Sequence, residues 1–101
     1  NVEIPLYNGY PAVDGDDGFP EINAQVKAWL DLDVTDRDTA NNNRDAATFF
    51  SDKSSANNQI YIFFTADYDQ KSVNFKCQIR YQNPIVAAPE IPEVKIETSA
   101  C

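Results

Sequence analysis

The sequence predicts an α+β domain, an antiparallel sheet of about four strands with one short amphipathic helix, and three stretches carry that prediction. From Val73 to Tyr81 apolar and polar residues alternate without a break, the period of a half-buried strand. Ile60 to Ala66 reads Ile-Tyr-Ile-Phe-Phe-Thr-Ala, β-branched and aromatic residues that suit a pleated sheet. Between Phe19 and Leu32, the residues Ile22, Val26, Trp29 and Leu30 recur at the spacing of one helix face.

With 101 residues, the whole chain (1–101) is expected to be one domain, long enough to bury one core and too short for two. Residues 1–12 carry Pro5, Pro11 and an Asn8-Gly9 pair, which favours a turn within an extended lead-in that folds back along the domain. Asp14-Gly15-Asp16-Asp17-Gly18 is a polar turn in which Asp17 or Gly18 caps the helix, and Pro20 suits its first turn. Trp29, the only tryptophan, is expected on the buried face as core.

Beyond the helix, residues 31–45 are dense in Asp, Asn and Thr, which compete with regular backbone pairing and predict an irregular surface loop. Ala47 to Ser51 predicts a short strand around Phe49 and Phe50, and 52–59 a flexible connection. The link 67–72 is short, so the strands on either side of it pair antiparallel as the centre of the sheet. Val73, Phe75, Cys77, Ile79 and Tyr81 then face the core, while Asn74, Lys76, Gln78 and Arg80 face water. Pro84, Pro89 and Pro92 keep the next stretch extended. Val94 to Thr98 forms the last strand.

Composition narrows the function. Sixteen acidic residues against eight basic ones and no histidine give a net charge of -8, a poor match for nucleic acid or anionic membranes. No apolar run approaches the roughly 20 residues that span a bilayer. The chain begins at Asn1 with neither an initiator methionine nor a secretory signal, as a processed product or a fragment would. Catalysis by a histidine-activated nucleophile is excluded, the three glycines form no phosphate loop, and the acids lie in polar loops, so no enzymatic activity is expected. The two cysteines, Cys77 and the terminal Cys101, suit a disulfide better than a zinc site, which wants four ligands. That bridge implies an oxidising compartment.

One cluster offers metal chemistry. Asp31, Asp33, Asp36 and Asp38 are hard oxygen ligands at short spacing, and Asp31-x-Asp33-x-Thr35 resembles the start of an EF-hand loop, so calcium is the candidate cofactor. Asp36 stands where that loop needs glycine and Asn42 where it needs a bidentate glutamate. A solvated acidic loop with no cofactor is the alternative.

Three segments in order resemble a known family. They are Tyr7-Asn8-Gly9-Tyr10-Pro11-Ala12 followed by a helix ending Ala28-Trp29-Leu30-Asp31-Leu32, then Lys76-Cys77-Gln78-Ile79-Arg80-Tyr81, then Val94-Lys95-Ile96-Glu97-Thr98-Ser99-Ala100-Cys101. Together they are similar to the globular head of a type IV pilin of the mannose-sensitive haemagglutinin (MSHA) type. The resemblance implies that Cys77 and Cys101 close the family's disulfide-bounded C-terminal loop. It also implies a sheet packed on a long N-terminal helix whose apolar half anchors the subunit in the membrane and then forms the filament core.

Such a helix would come from outside these residues, either because the chain is an engineered soluble fragment or because the pilin is naturally made of two chains. An apolar sheet surface should then be left uncovered. The function implied is a structural subunit of an extracellular, cell-surface pilus, active in assembly, adhesion and surface attachment. Its partners would be other pilin subunits in a helical filament, a separate N-terminal helix chain, and a host or abiotic surface. Residues 31–45, 52–59 and the Cys77–Cys101 loop would form the variable outer surface and subunit contacts. The alternative is a secreted, disulfide-closed binding module: an effector, or a carbohydrate- or calcium-binding domain with a fully covered sheet.

Overall fold

A computed structural model describes residues 6–7, 9–54, 58–72, 74–83 and 93–101. In chain order the elements are Leu6–Tyr7 (β1), Tyr10–Pro11 (β2), Phe19–Trp29 (α1), Val34–Asp36 (β3), Arg37–Asn42 (α2), Phe49–Ser54 (β4), Gln59–Phe64 (β5), a 3-10 helix Thr65–Gln70, Gln78–Gln82 (β6) and Glu93–Glu97 (β7). The α+β class holds, but the main sheet has five strands, in the order β3-β4-β5-β6-β7. It is mixed rather than antiparallel, because β3 and β4 run parallel while every other neighbouring pair runs antiparallel. A parallel pair needs a crossover. Here α2 and the turn after it supply one, so the segment expected to be an irregular loop at 31–45 contains a strand and a helix.

Register assigns the side chains to two faces. Ile60 pairs with Lys53 and Tyr81, Ile62 with Ser51 and Ile79, Phe64 with Phe49, and Val94 and Ile96 stand opposite Tyr81 and Ile79. All of these share one face, called here face A, because partners across a ladder point the same way. Phe50, Tyr61, Phe63, Arg80 and Lys95 share the other, face B.

Helix α1 covers part of face A. Its buried residues Ile22 and Val26 join Val13, Val34, Ile60, Ile62 and Tyr81 in one core cluster, with Trp29, Leu32, Phe49 and Ile79 packed against it. Full burial of each aliphatic side chain contributes about 1.5–3 kcal/mol, so the predicted stripe is what docks the helix. The Trp29 ring lies 5.1 Å from that of Tyr81. Leu30, expected on the stripe, caps the helix instead and is exposed. Beneath the helix Ser51, fully buried, donates to Asn23 Oδ1 at 2.8 Å. Gly18 is the N-cap and carries no side-chain bond. The turn before it is held by Lys53, whose ammonium donates to Gly15 O at 2.9 Å and to Asp17 O.

Face B is roofed by the segment between β5 and β6. Ala40, Phe50, Tyr61 and Phe63 form a second buried cluster, with Tyr68 and Phe75 packed on it. This corrects the reading of 73–81 as one strand. The strand begins only at Gln78; Phe75 closes a turn through its N–H to Ser72 O at 3.1 Å and packs with the face B cluster rather than alongside Ile79. Gln78, expected to face water, is buried, and its Nε2 donates to Phe75 O at 2.8 Å. A two-sided core replaces the one-sided alternation at this point. Val73 lies outside the described residues, as do 55–57, Asn8 and the proline-rich 84–92.

The lead-in does fold back. Val13 N–H donates to Asn83 O at 2.9 Å, Asn83 Nδ2 donates to Pro11 O at 2.8 Å, and the Tyr81 hydroxyl also donates to Pro11 O. Gly9 takes a φ of 82°, a conformation glycine adopts without strain, in the turn between β1 and β2.

Candidate functional site

Helix α1 does not reach across the whole of face A. Beside it, Phe49, Ile62, Phe64, Cys77, Ile79 and Ile96 line an apolar groove of about 240 Å³. Four strands build it: β4 contributes Phe49, β5 Ile62 and Phe64, β6 Ile79, and β7 Ile96. Phe49 and Phe64 are ladder partners with ring centroids 4.8 Å apart, which sets one wall. Phe64 remains 41% and Ile96 65% exposed, and side chains of this size left in contact with water on one patch mark a surface that another apolar surface can cover. No titratable side chain lines the groove. Its chemistry is burial of a partner's apolar side chains.

The disulfide forms the floor at one end. Cys77 and Cys101 are bonded, with Cα atoms 4.8 Å apart. Cys77 is buried on face A, and Ala100 N–H donates to Lys76 O at 3.0 Å, so the C-terminal turn is fastened to the sheet by a covalent and a hydrogen bond.

The four aspartates do not converge. Asp36 is the N-cap of α2, accepting from Thr39 N at 2.8 Å and from Thr39 Oγ1 at 2.9 Å. Asp38 pairs with Arg37 at 3.2 Å, and Asp31 is exposed before β3. Asp33 accepts from both the N–H and the hydroxyl of Thr48 at 2.9 Å. Among the described residues no group of three or more His, Cys, Asp or Glu is arranged to hold a metal ion.

Asp33 and Thr48 immediately precede the neighbouring parallel strands β3 and β4, and parallel pairing brings them side by side. The backbone N–H of Thr48, and after it the Thr48 hydroxyl, hold the Asp33 carboxyl below its ordinary 3.8, with Lys27 adding a smaller pull the same way. A lowered folded-state value means that the stabilisation is complete above 3.8 and is lost as pH falls through the lowered value. Asp33→Asn keeps an acceptor for Thr48 and removes the charge. Melting curves between about pH 2 and pH 5 are expected to fall less steeply toward acid for the variant than for the wild type; superimposable acid limbs would show that the Asp33 bonds do not hold β3 to β4.

Sequence reasoning named Cys77 and Cys101 but missed the groove as a set of residues. The signal was present in part: Val94 and Ile96 alternate as a strand, yet nothing in the chain was assigned to cover them. No protein-family model, no curated protein and no solved structure matches the chain.

Proposed function

We propose that this chain is the globular head of a type IV pilin of the MSHA type, a structural subunit of a surface filament, with the groove on face A as the seat of a long apolar helix. The observation that carries the reading is the open groove itself. An α-helix with its side chains is about 10 Å across, and the lane beside α1 offers Phe64, Ile79 and Ile96 for the side of such a rod to cover. The Cys77–Cys101 bond supports it too, since the C-terminal strand is tied to the sheet as the resemblance implies and is compatible with an oxidising extracellular compartment. A secreted binding module would be expected to present a fully covered sheet, and face A here is not fully covered.

The subunit acts by assembly and surface contact, so no side chain need do chemistry. Immunogold labelling of cells that make the protein, with antibody raised against this domain, is expected to decorate thin surface filaments. Label confined to the cell interior or to shed monomer would overturn the proposal. Phe64→Asp and Ile96→Asp are expected to abolish filaments while leaving the disulfide formed and the head folded, because both side chains already face water.

A further inference from the structure

Among the described residues β7 ends the main sheet, with β6 on one side and no strand on the other. An open edge presents unpaired N–H and C=O groups, which an added strand satisfies. The side chains of this edge stand clear of the domain as well, Val94 at 59% and Ile96 at 65% exposure. Register places Val94 and Ile96 on face A, and Glu93, Lys95 and Glu97 in a row on face B.

We propose that β7 is a homodimer seam, along which two copies of the chain pair antiparallel about a two-fold axis at Ile96, setting each Lys95 opposite the partner's Glu97. The charge row selects the occupant and excludes the register centred on Lys95, and Pro92 decides between the two registers that remain. Glu-x-Lys-x-Glu is complementary to itself only when displaced. Centred on Lys95, the pairing would put lysine against lysine and glutamate against glutamate, which is repulsive at directly opposed positions. Centred on Ile96, it gives two symmetry-related Lys–Glu pairs on face B, while on face A Ile96 covers the partner's Ile96 and Val94 meets the partner's Thr98. Centred on Val94, it would set Ile96 against a proline, Pro92, which has no N–H to offer a ladder.

Lys95 Nζ already lies 3.3 Å from its own Glu97 Oε1, and Lys76 Nζ 3.8 Å from the same oxygen. The seam therefore gathers an alternating cluster of charges rather than opposing a new pair. The two-fold arrangement closes on itself, whereas β7 laid on β3 of a further copy would leave an edge at each end and propagate. The seam shares Ile96 with the groove, but its Lys95 and Glu97 pairs lie on face B outside the groove, so the charge variants test it whether or not the chain is a pilin head.

Sedimentation equilibrium of the oxidised chain over a concentration series tests it. The wild type is expected to follow a monomer–dimer equilibrium. Lys95→Glu makes the row all acidic and the double variant Glu93→Lys/Glu97→Lys makes it all basic; each is expected to weaken self-association roughly tenfold or more, because two cross-strand pairs turn from attraction to repulsion. An equimolar mixture of the two variants is expected to recover a dimer containing one of each. A wild type that stays monomeric to its solubility limit, assembly beyond the dimer, unchanged dimerisation in either variant, or a mixture that fails to pair would each overturn the seam. The wild-type measurement stands without the variants, and circular dichroism confirms that each variant is folded.

Discussion

Reduction of the Cys77–Cys101 bond is expected to lower the melting temperature by roughly 15–25 °C. The two residues are 24 apart in sequence, and in the chain-entropy treatment closing a loop of that size contributes about 3.5 kcal/mol. That is a large share of the 5–15 kcal/mol or so that holds a small domain together. The loss is expected to begin at β7, four of whose five side chains are exposed, Val94 and Ile96 among them, so that little apolar burial holds it. Its remaining ties are the ladder to β6, the Ala100 to Lys76 hydrogen bond and ion pairs at the surface. Surface ion pairs of this kind are worth about 0–1 kcal/mol each. Hydrogen exchange should therefore accelerate in β7 well before β4 and β5 respond. A drop of only a few degrees, or a uniform loss of protection across the sheet, would show that the bridge is not what fastens the C-terminal strand.

Phe50→Ala is the substitution expected to cost most, about 3–5 kcal/mol. Phe50 is 0% exposed, and its ring lies 5.4 Å from that of Phe63 and 4.9 Å from that of Tyr68. It is the residue through which the 3-10 helix grips face B. Removing the ring leaves a cavity beneath Tyr68 that the 3-10 helix cannot fill without giving up its place on the sheet. Phe64→Ala makes the contrast. It is the same chemical change one strand over, on the open part of face A, and is expected to cost no more than about 1.5 kcal/mol because its ring is already partly in water. Urea unfolding of both variants, with the disulfide intact, reads the difference. Equal losses would mean that the groove side of Phe64 is as tightly covered as the core.

Particular residues show where the sequence could be read and where it could not. Ile22, Val26 and Trp29 repeat over two turns of an 11-residue helix, long enough for periodicity to speak, and α1 lies where they place it. Ile60 and Ile62 mark β5, and the antiparallel partner β6 follows as the hairpin argument expects. The failures have local causes. Helix α2 has six residues and a single buried one, Ala40, too few for any period. Its one legible sign was Asp36 as an N-cap with Thr39 three residues on, and that sign was read as a possible calcium ligand, because an aspartate serves either purpose. Strand β3 has three residues and only Val34 is buried, and its parallel register depends on Asp33 reaching Thr48, a contact between residues 15 apart.

Phe75 shows the limit from the other side. The alternation from Val73 to Tyr81 is unbroken, yet Phe75 finds the face B cluster through a turn. A period-two pattern cannot tell one strand from a turn feeding a strand when both sheet faces are covered. The groove was legible only as an expectation that some apolar surface would be left open, since its walls come from four strands brought together by register.

The most direct test of what covers that surface is photo-crosslinking from Phe64 itself. With benzoylphenylalanine at this position, in cells making the protein with its native neighbours, irradiation is expected to join the head to an apolar helical peptide, identified by sequencing the adduct. An irradiated protein that yields no adduct, or one joined to a polar loop, would contradict the reading of face A as the seat of a helix.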